Sequence, residues 1–432
     1  PPYEPCRVET KADVPRVGVW GRRYTFGLSP LLASIESGGE ELLAGPVRFE
    51  CVADGERVSF APAAPQLAEN SPAEVVLRQT LHGPKIRLSI HTRVEYDGLI
   101  KVDWAVEADE ALQLDRLAME IPLRPEHATL LHSWPQIHSG QWEDGWASRF
   151  QPVLWIGDEE RGLSWVAESD QNWSLADRER AIELVRGDDE VTLRFNLVNR
   201  KVSLAKGEKL DYTFGLQATP VRPMPKSCWD IRLQRQPPYA HEYEWLTKKI
   251  DGRPCLEFYR DEGARGLLVL RWWDAFSYTL PLGHEEEFPK LVAACHAQNL
   301  QVVPYAIGFL LSEAAPEFKH FHCDMLARPK RPYPIDRLPG MESQMTYFAC
   351  CRGAWQDFVV ASTAQCMDRY DTDGVYLDTT VRPHACRNRL HGCGYVAADG
   401  TVRSTYPVFA TRELMKRLYT VVKSRKPDGI VD

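Results

Sequence analysis

From Val17 to Thr219 apolar and polar residues alternate in short runs, among them Val75-Val-Leu-Arg-Gln79, Ile86-Arg-Leu-Ser-Ile-His-Thr-Arg-Val94, Leu99-Ile-Lys-Val-Asp-Trp-Ala-Val106, Val191-Thr-Leu-Arg-Phe195 and Tyr212-Thr-Phe-Gly-Leu216. A period of two sends successive side chains to opposite faces of a strand, so these runs predict antiparallel strands with one buried face. Gly, Asp and Pro punctuate the runs, and the expectation for residues 1–222 is a β-sandwich. Pro220, Pro223, Pro225, Pro237 and Pro238 then cluster, and residues 223–239 are read as a linker because proline cannot serve a central strand or a helix interior.

Beyond residue 240 the period lengthens. Phe288, Leu291, Val292 and Cys295 recur at helical spacing within Glu285–Gln298, and Trp355–Tyr370 and Tyr406–Lys426 follow the same rule. Between these helices lie short apolar runs, Leu267–Leu270, Leu300–Tyr305, Gly374–Asp378 and Gly429–Asp432. Strands alternating with helices imply a parallel sheet joined by right-handed crossovers. Asp or aromatic residues at the strand ends favour a (β/α)8-type TIM barrel over residues 240–432, and no Gly-rich phosphate fingerprint follows any strand to support a nucleotide fold. A full barrel takes roughly 250 residues. About 195 follow the linker, with four or five strands visible, so the barrel is expected to be incomplete here, its C-terminal strands missing or supplied by a partner.

Composition changes the picture in one respect: it removes partners. A net charge of −8 argues against nucleic acid, whose phosphates demand a basic face, and no apolar run approaches a membrane span. Nothing in it speaks to oligomeric state. The opening Pro1-Pro-Tyr3 carries no apolar targeting core and fixes no compartment, with export to a periplasm or the extracellular space left open.

The candidate chemistry sits at strand ends. In Asp373-Gly-Val-Tyr-Leu-Asp378 the last residue falls where a strand opens into a loop, the edge at which a parallel barrel meets substrate. Asp274, closing Arg271-Trp-Trp-Asp274, is the preferred second carboxylate, since two tryptophans beside it would stack on sugar and exclude water as a general acid requires. Asp432, Glu313 and Glu342 are the other candidates, and Trp272, Trp273, Tyr305, Tyr376, Arg382, His384 and Asn388 are the expected substrate contacts. His384, Cys386, His391 and Cys393 are dense enough to suggest zinc, but Cys-x6-Cys lacks a Cys-x-x-Cys knuckle. The reading is therefore two buried thiols with loop histidines, or a Cys386–Cys393 disulfide if the protein is exported, with no metal and no cofactor assigned. His320, His322 and Cys323 are read in the same way.

The runs Gly98-Leu-Ile-Lys-Val-Asp-Trp104, Gly157-Asp-Glu-Glu-Arg-Gly-Leu-Ser-Trp165, Ala167-Glu-Ser-Asp170, Arg271-Trp-Trp-Asp274 and Asp373–Asp378 resemble proteins related to glycoside hydrolase family 123. That resemblance covers nearly the whole chain and implies an N-terminal β-sandwich joined to a (β/α) barrel. Characterised members remove N-acetylgalactosamine with an Asp-Glu pair after a barrel strand; here Thr379 and Thr380 follow Asp378. The expectation is a glycosidase acting on an oligosaccharide or glycan through paired carboxylates, Asp378 and Asp274. The alternative is a non-catalytic carbohydrate-binding protein with a degenerate barrel.

Overall fold

The computed structural model describes residues 3–11, 14–224, 226, 229, 232–235, 242–270, 274–278, 280–336, 342–379 and 383–432. The chain divides into two compact units, Pro1–Pro223 and Met224–Asp432.

The first unit is antiparallel throughout its two largest sheets, of nine and seven strands, and carries a further five-stranded sheet at its start. The alternating runs become the strands Glu74–Gly83, Ile86–Glu95, Leu99–Ala108, Val191–Val198 and Lys209–Thr219. Ile86, Leu88, Ile90 and Val94 are buried while the residues between them are mostly half-exposed, as a period of two requires. Both large sheets feed one hydrophobic core. Aromatic pairs join them: Phe49 of the seven-stranded sheet meets Trp104 of the nine-stranded one edge-on at 4.8 Å, and Trp165 stacks on Phe195 at 4.5 Å. Each such pair contributes about 0.5–1.5 kcal/mol beyond its area burial. The arrangement is that of a β-sandwich.

In the second unit five short strands, Leu233–Arg235, Gly266–Val269, Gln301–Ile307, Gly374–Asp378 and Ile430–Val431, form one sheet in that order, every neighbouring pair parallel. The helices Cys255–Asp261, Phe288–Ala297, Trp355–Tyr370 and Val408–Arg425 fall one between each successive pair. The first strand lies inside the span read as linker. It occupies the proline-free interval between Pro225 and Pro237 and takes an edge position, where a short strand beside prolines is tolerated. Leu267, Val269, Val302, Val375 and Leu377 of the sheet share a core with Phe288, Leu291, Val359, Leu414 and Leu418 of the helices. Between Ile307 and Trp355 the chain makes an excursion, a small antiparallel sheet of Leu310–Ser312, Gln344–Phe348 and Pro332–Ile335 with the helix Phe318–Met325.

Candidate active site

Asp378 is the last residue of a strand paired on both sides. Its register partner is Ile307, and Tyr305 stands opposite Tyr376. Alternation decides the rest: Val375 and Leu377 enter the helix-covered core, while Tyr376 and Asp378, two residues apart, share the other face and are half-buried. The Tyr305 and Tyr376 rings stack at 5.3 Å with planes 17° apart, and the Tyr305 hydroxyl donates to Asp378 Oδ2 at 2.7 Å. No other hydrogen bond from a described residue reaches that carboxylate. Immediately after it Thr379 adopts φ 66°, a strained conformation for a β-branched residue and one that concentrates at functional turns. Gly308 donates its N–H to Asp378 O at 2.9 Å and accepts from the Trp355 indole at 2.8 Å, which fixes the strand end.

The segment carrying Asp274 is tied to the same edge. Ser277, also left-handed at φ 61°, donates through Oγ to Ile307 O (2.9 Å) and accepts from Ile307 N–H (2.7 Å). Buried Gln344 donates to Asp274 O at 3.0 Å and accepts from Phe276 N–H at 2.8 Å and from the Ser312 hydroxyl. The Asp274 carboxylate itself is 66% exposed, 3.5 Å from His284. The water-excluded setting expected for it is therefore not supplied by the described residues; Trp272, Trp273 and Arg382 lie outside them. Nearby Tyr278 shares its hydroxyl with both oxygens of Glu317, at 2.8 and 2.9 Å. Burial, then the hydrogen bond and charge of Glu317, push the Tyr278 phenol well up. Neither Gln344 nor the Tyr278–Glu317 pair has a signature in the sequence, because each depends on a contact between segments more than 30 residues apart. Glu313 and Glu342 are exposed, Glu313 accepting from Met345 N–H, and Asp432 is exposed and extends the edge strand by backbone bonds to Val375 and Leu377.

Two expected substrate contacts are used differently. His384 packs its ring on Phe348 at 4.2 Å and on Phe309 at 5.3 Å. Asn388 is buried and its amide is spent internally, donating to Cys323 O and Leu326 O while its Oδ1 caps the turn at Leu390 N–H. Of the two readings of the thiols, the structure has the unbridged, buried one, with a different histidine beside them. Cys386 and Cys393 are free rather than bridged, and with His391 they converge on Cys350, not on His384, their ligand atoms all within 4.8 Å of one another. Cys350 lies 36 residues before Cys386, too far for spacing to group them. His320, His322 and Cys323 gather no such set among the described residues: His322 Nδ1 lies 2.9 Å from Phe318 O, and Cys323 is exposed.

Residues 21–220, within the first unit, match the family model described as glycoside hydrolase 123, third domain. No curated protein sequence matches the chain. Among solved structures the chain is similar to the galactosidase domain of an α-galactosidase–sucrose kinase, at 10% identity over 98% of this chain and 72% of that one, with a TM-score of 0.43. An α-galactosidase from Lactobacillus brevis gives 10% identity, 99% and 69% coverage and a TM-score of 0.43. A family 36 α-galactosidase from Geobacillus stearothermophilus, solved with 1-deoxygalactonojirimycin, gives 13%, 94% and 64%, and 0.42. No helix among the described residues is long and apolar enough to cross a membrane.

Proposed function

We propose that the protein hydrolyses glycosidic bonds at the C-terminal edge of its parallel sheet, with Asp378 as nucleophile or base and Asp274 as acid. The observation that carries this reading is the Tyr305-held carboxylate of Asp378 at a strand end, beside stacked tyrosines and a strained Thr379. A phenol donating to one carboxylate oxygen orients the group and leaves the second oxygen for a sugar carbon or a water. Five parallel strands in sequential order, without the reversal of a doubly wound sheet, support reading the second unit as part of a (β/α)8-type barrel, whose active face is this edge. The sandwich's match to a glycoside hydrolase family model points to the same class of substrate, an oligosaccharide or glycan.

The exposed Asp274 and the Thr379-Thr380 that stand after Asp378 favour a second reading, carbohydrate binding without turnover. A panel of aryl glycosides and natural oligosaccharides separates the two. Hydrolysis by the wild type that is lost in Asp378→Asn, with sugar binding kept, is the expected outcome; binding by the wild type without hydrolysis would replace it with the second reading. If Asp274 protonates the leaving group, Asp274→Asn slows poor leaving groups most, and a good aryl leaving group partly rescues it.

A further inference from the structure

We propose that Cys350, Cys386, His391 and Cys393 bind one zinc ion, a structural clip on the βαβ segment that carries Asp378. Three thiols and an imidazole meet in a small buried cluster whose other apolar member is Ala327. Two neighbouring thiolates on a tetrahedral zinc, each about 2.3 Å from the metal, stand about 3.8 Å apart. Cys350 Sγ and Cys393 Sγ are 3.8 Å apart, nearly twice a disulfide bond, and Cys386 Sγ lies 3.9 Å from His391 Nδ1. Four protein ligands of this kind make a closed site, which is structural rather than catalytic, and three sulfur donors with one nitrogen at one-metal spacing select zinc.

The surroundings supply what such a site needs beyond its ligands. Asn388 N–H donates to Cys386 Sγ at 3.3 Å, a bond that favours the thiolate over the thiol. His391 presents Nδ1 toward Cys386, and the buried Asn388 side chain packs against the other edge of the ring. Cys386 is itself fixed by paired backbone bonds with Thr405, and Gly392 in the left-handed region turns the chain so that Cys393 returns to the cluster. Between Cys350 and Cys386 run the helix Trp355–Tyr370 and the strand Gly374–Asp378. A metal joining these cysteines clips that segment closed, and because the site exists only in the folded chain its binding free energy adds to folding stability. The role is independent of hydrolysis, and its test reads metal, not turnover.

The full chain, purified under reducing conditions, should carry about one zinc per molecule by elemental analysis. Cobalt exchanged into it should give the strong visible absorption of a tetrahedral thiolate site. Cys350→Ser and Cys393→Ser should lose the zinc and the absorption, Asn388→Ala should weaken binding by about 10–100-fold, and Cys323→Ser, an exposed thiol outside the set, should keep both. Should the ligand variants fail to fold, the cobalt spectrum of the wild type still decides. Iron in place of zinc, a Cys386–Cys393 disulfide in the reduced preparation, or a wild-type chain that takes up neither zinc nor cobalt overturns the assignment.

Discussion

Asp373 and Asp378 bracket one strand five residues long and live in opposite electrostatic worlds. Asp373, at the entry, is buried and thrice partnered: Lys426 Nζ donates to Oδ1 at 2.8 Å, Val302 N–H donates to Oδ2 at 2.7 Å, and His296 Nε2 lies 2.8 Å from the same oxygen. Asp378, at the exit, is half-buried and takes one phenol among the described residues. A buried charge survives only when paired, and a carboxylate 6% exposed with three internal partners is closed to a ligand by its burial. The entry carboxylate thus ties strand to helix inside the fold, while the exit carboxylate is the one the proposed function assigns to chemistry.

The comparison breaks most visibly if the two residues are exchanged in their effects. Asp378→Asn is expected to lower kcat/KM by about 10²–10⁴-fold while changing unfolding free energy by no more than about 0.5 kcal/mol. Asp373→Ala is expected to do the reverse, costing about 1–3 kcal/mol in urea unfolding because the buried Val302 N–H loses its acceptor, with activity per folded molecule kept. Asp378→Asn unfolding as readily as Asp373→Ala would erase the distinction. Tyr305→Phe sharpens it: the ring is kept, the hydrogen bond that orients Asp378 is lost, and turnover should fall by roughly tenfold to hundredfold as the carboxylate loses its position, with a stability cost of up to about 1.5–3 kcal/mol that urea unfolding reads separately.

The smallest effect is at alkaline pH. Burial pulls the Lys426 ammonium down, but hydrogen bonds to Asp371 and Asp373 and their charges outweigh it, so its pKa is raised above the usual 10.5. A group with a raised folded pKa contributes its full stability below the unfolded value and loses it as pH rises through the folded one. Stability should therefore fall above about pH 10.5, and more shallowly in Asp373→Asn; unfolding curves across that range that superimpose for the two proteins would remove Lys426 from the account.

Much of this was legible beforehand wherever a local period carried the information. The helix Trp355–Tyr370 and the strand Gly374–Asp378 have the bounds that the apolar spacing predicts, because each buries a face set by its own residues. The strand Leu233–Arg235 was hidden, since three residues between prolines carry no period and are held in place by Gly266–Leu268. The site follows the same division. The placement of Asp378 needed only a strand end, whereas the Tyr305 hydrogen bond, the Gln344 clamp and the arrival of Cys350 beside Cys393 depend on tertiary contacts between distant segments. Asn388 misled because an exposed-looking loop residue turned out to be a buried brace.

Gly374 sits between the two carboxylates' territories with φ 146°, and a Cβ there would lie 1.8 Å from the carbonyl oxygen of Ile430. That obstacle is main chain of the adjoining strand, so no side-chain rearrangement relieves it, and φ in this range already disfavours every L side chain. The position therefore governs how this fold can diverge. A change at 374 must bring a new course for the chain around 430 with it. In a saturation scan read by folding alone, 374 should return glycine and almost nothing else.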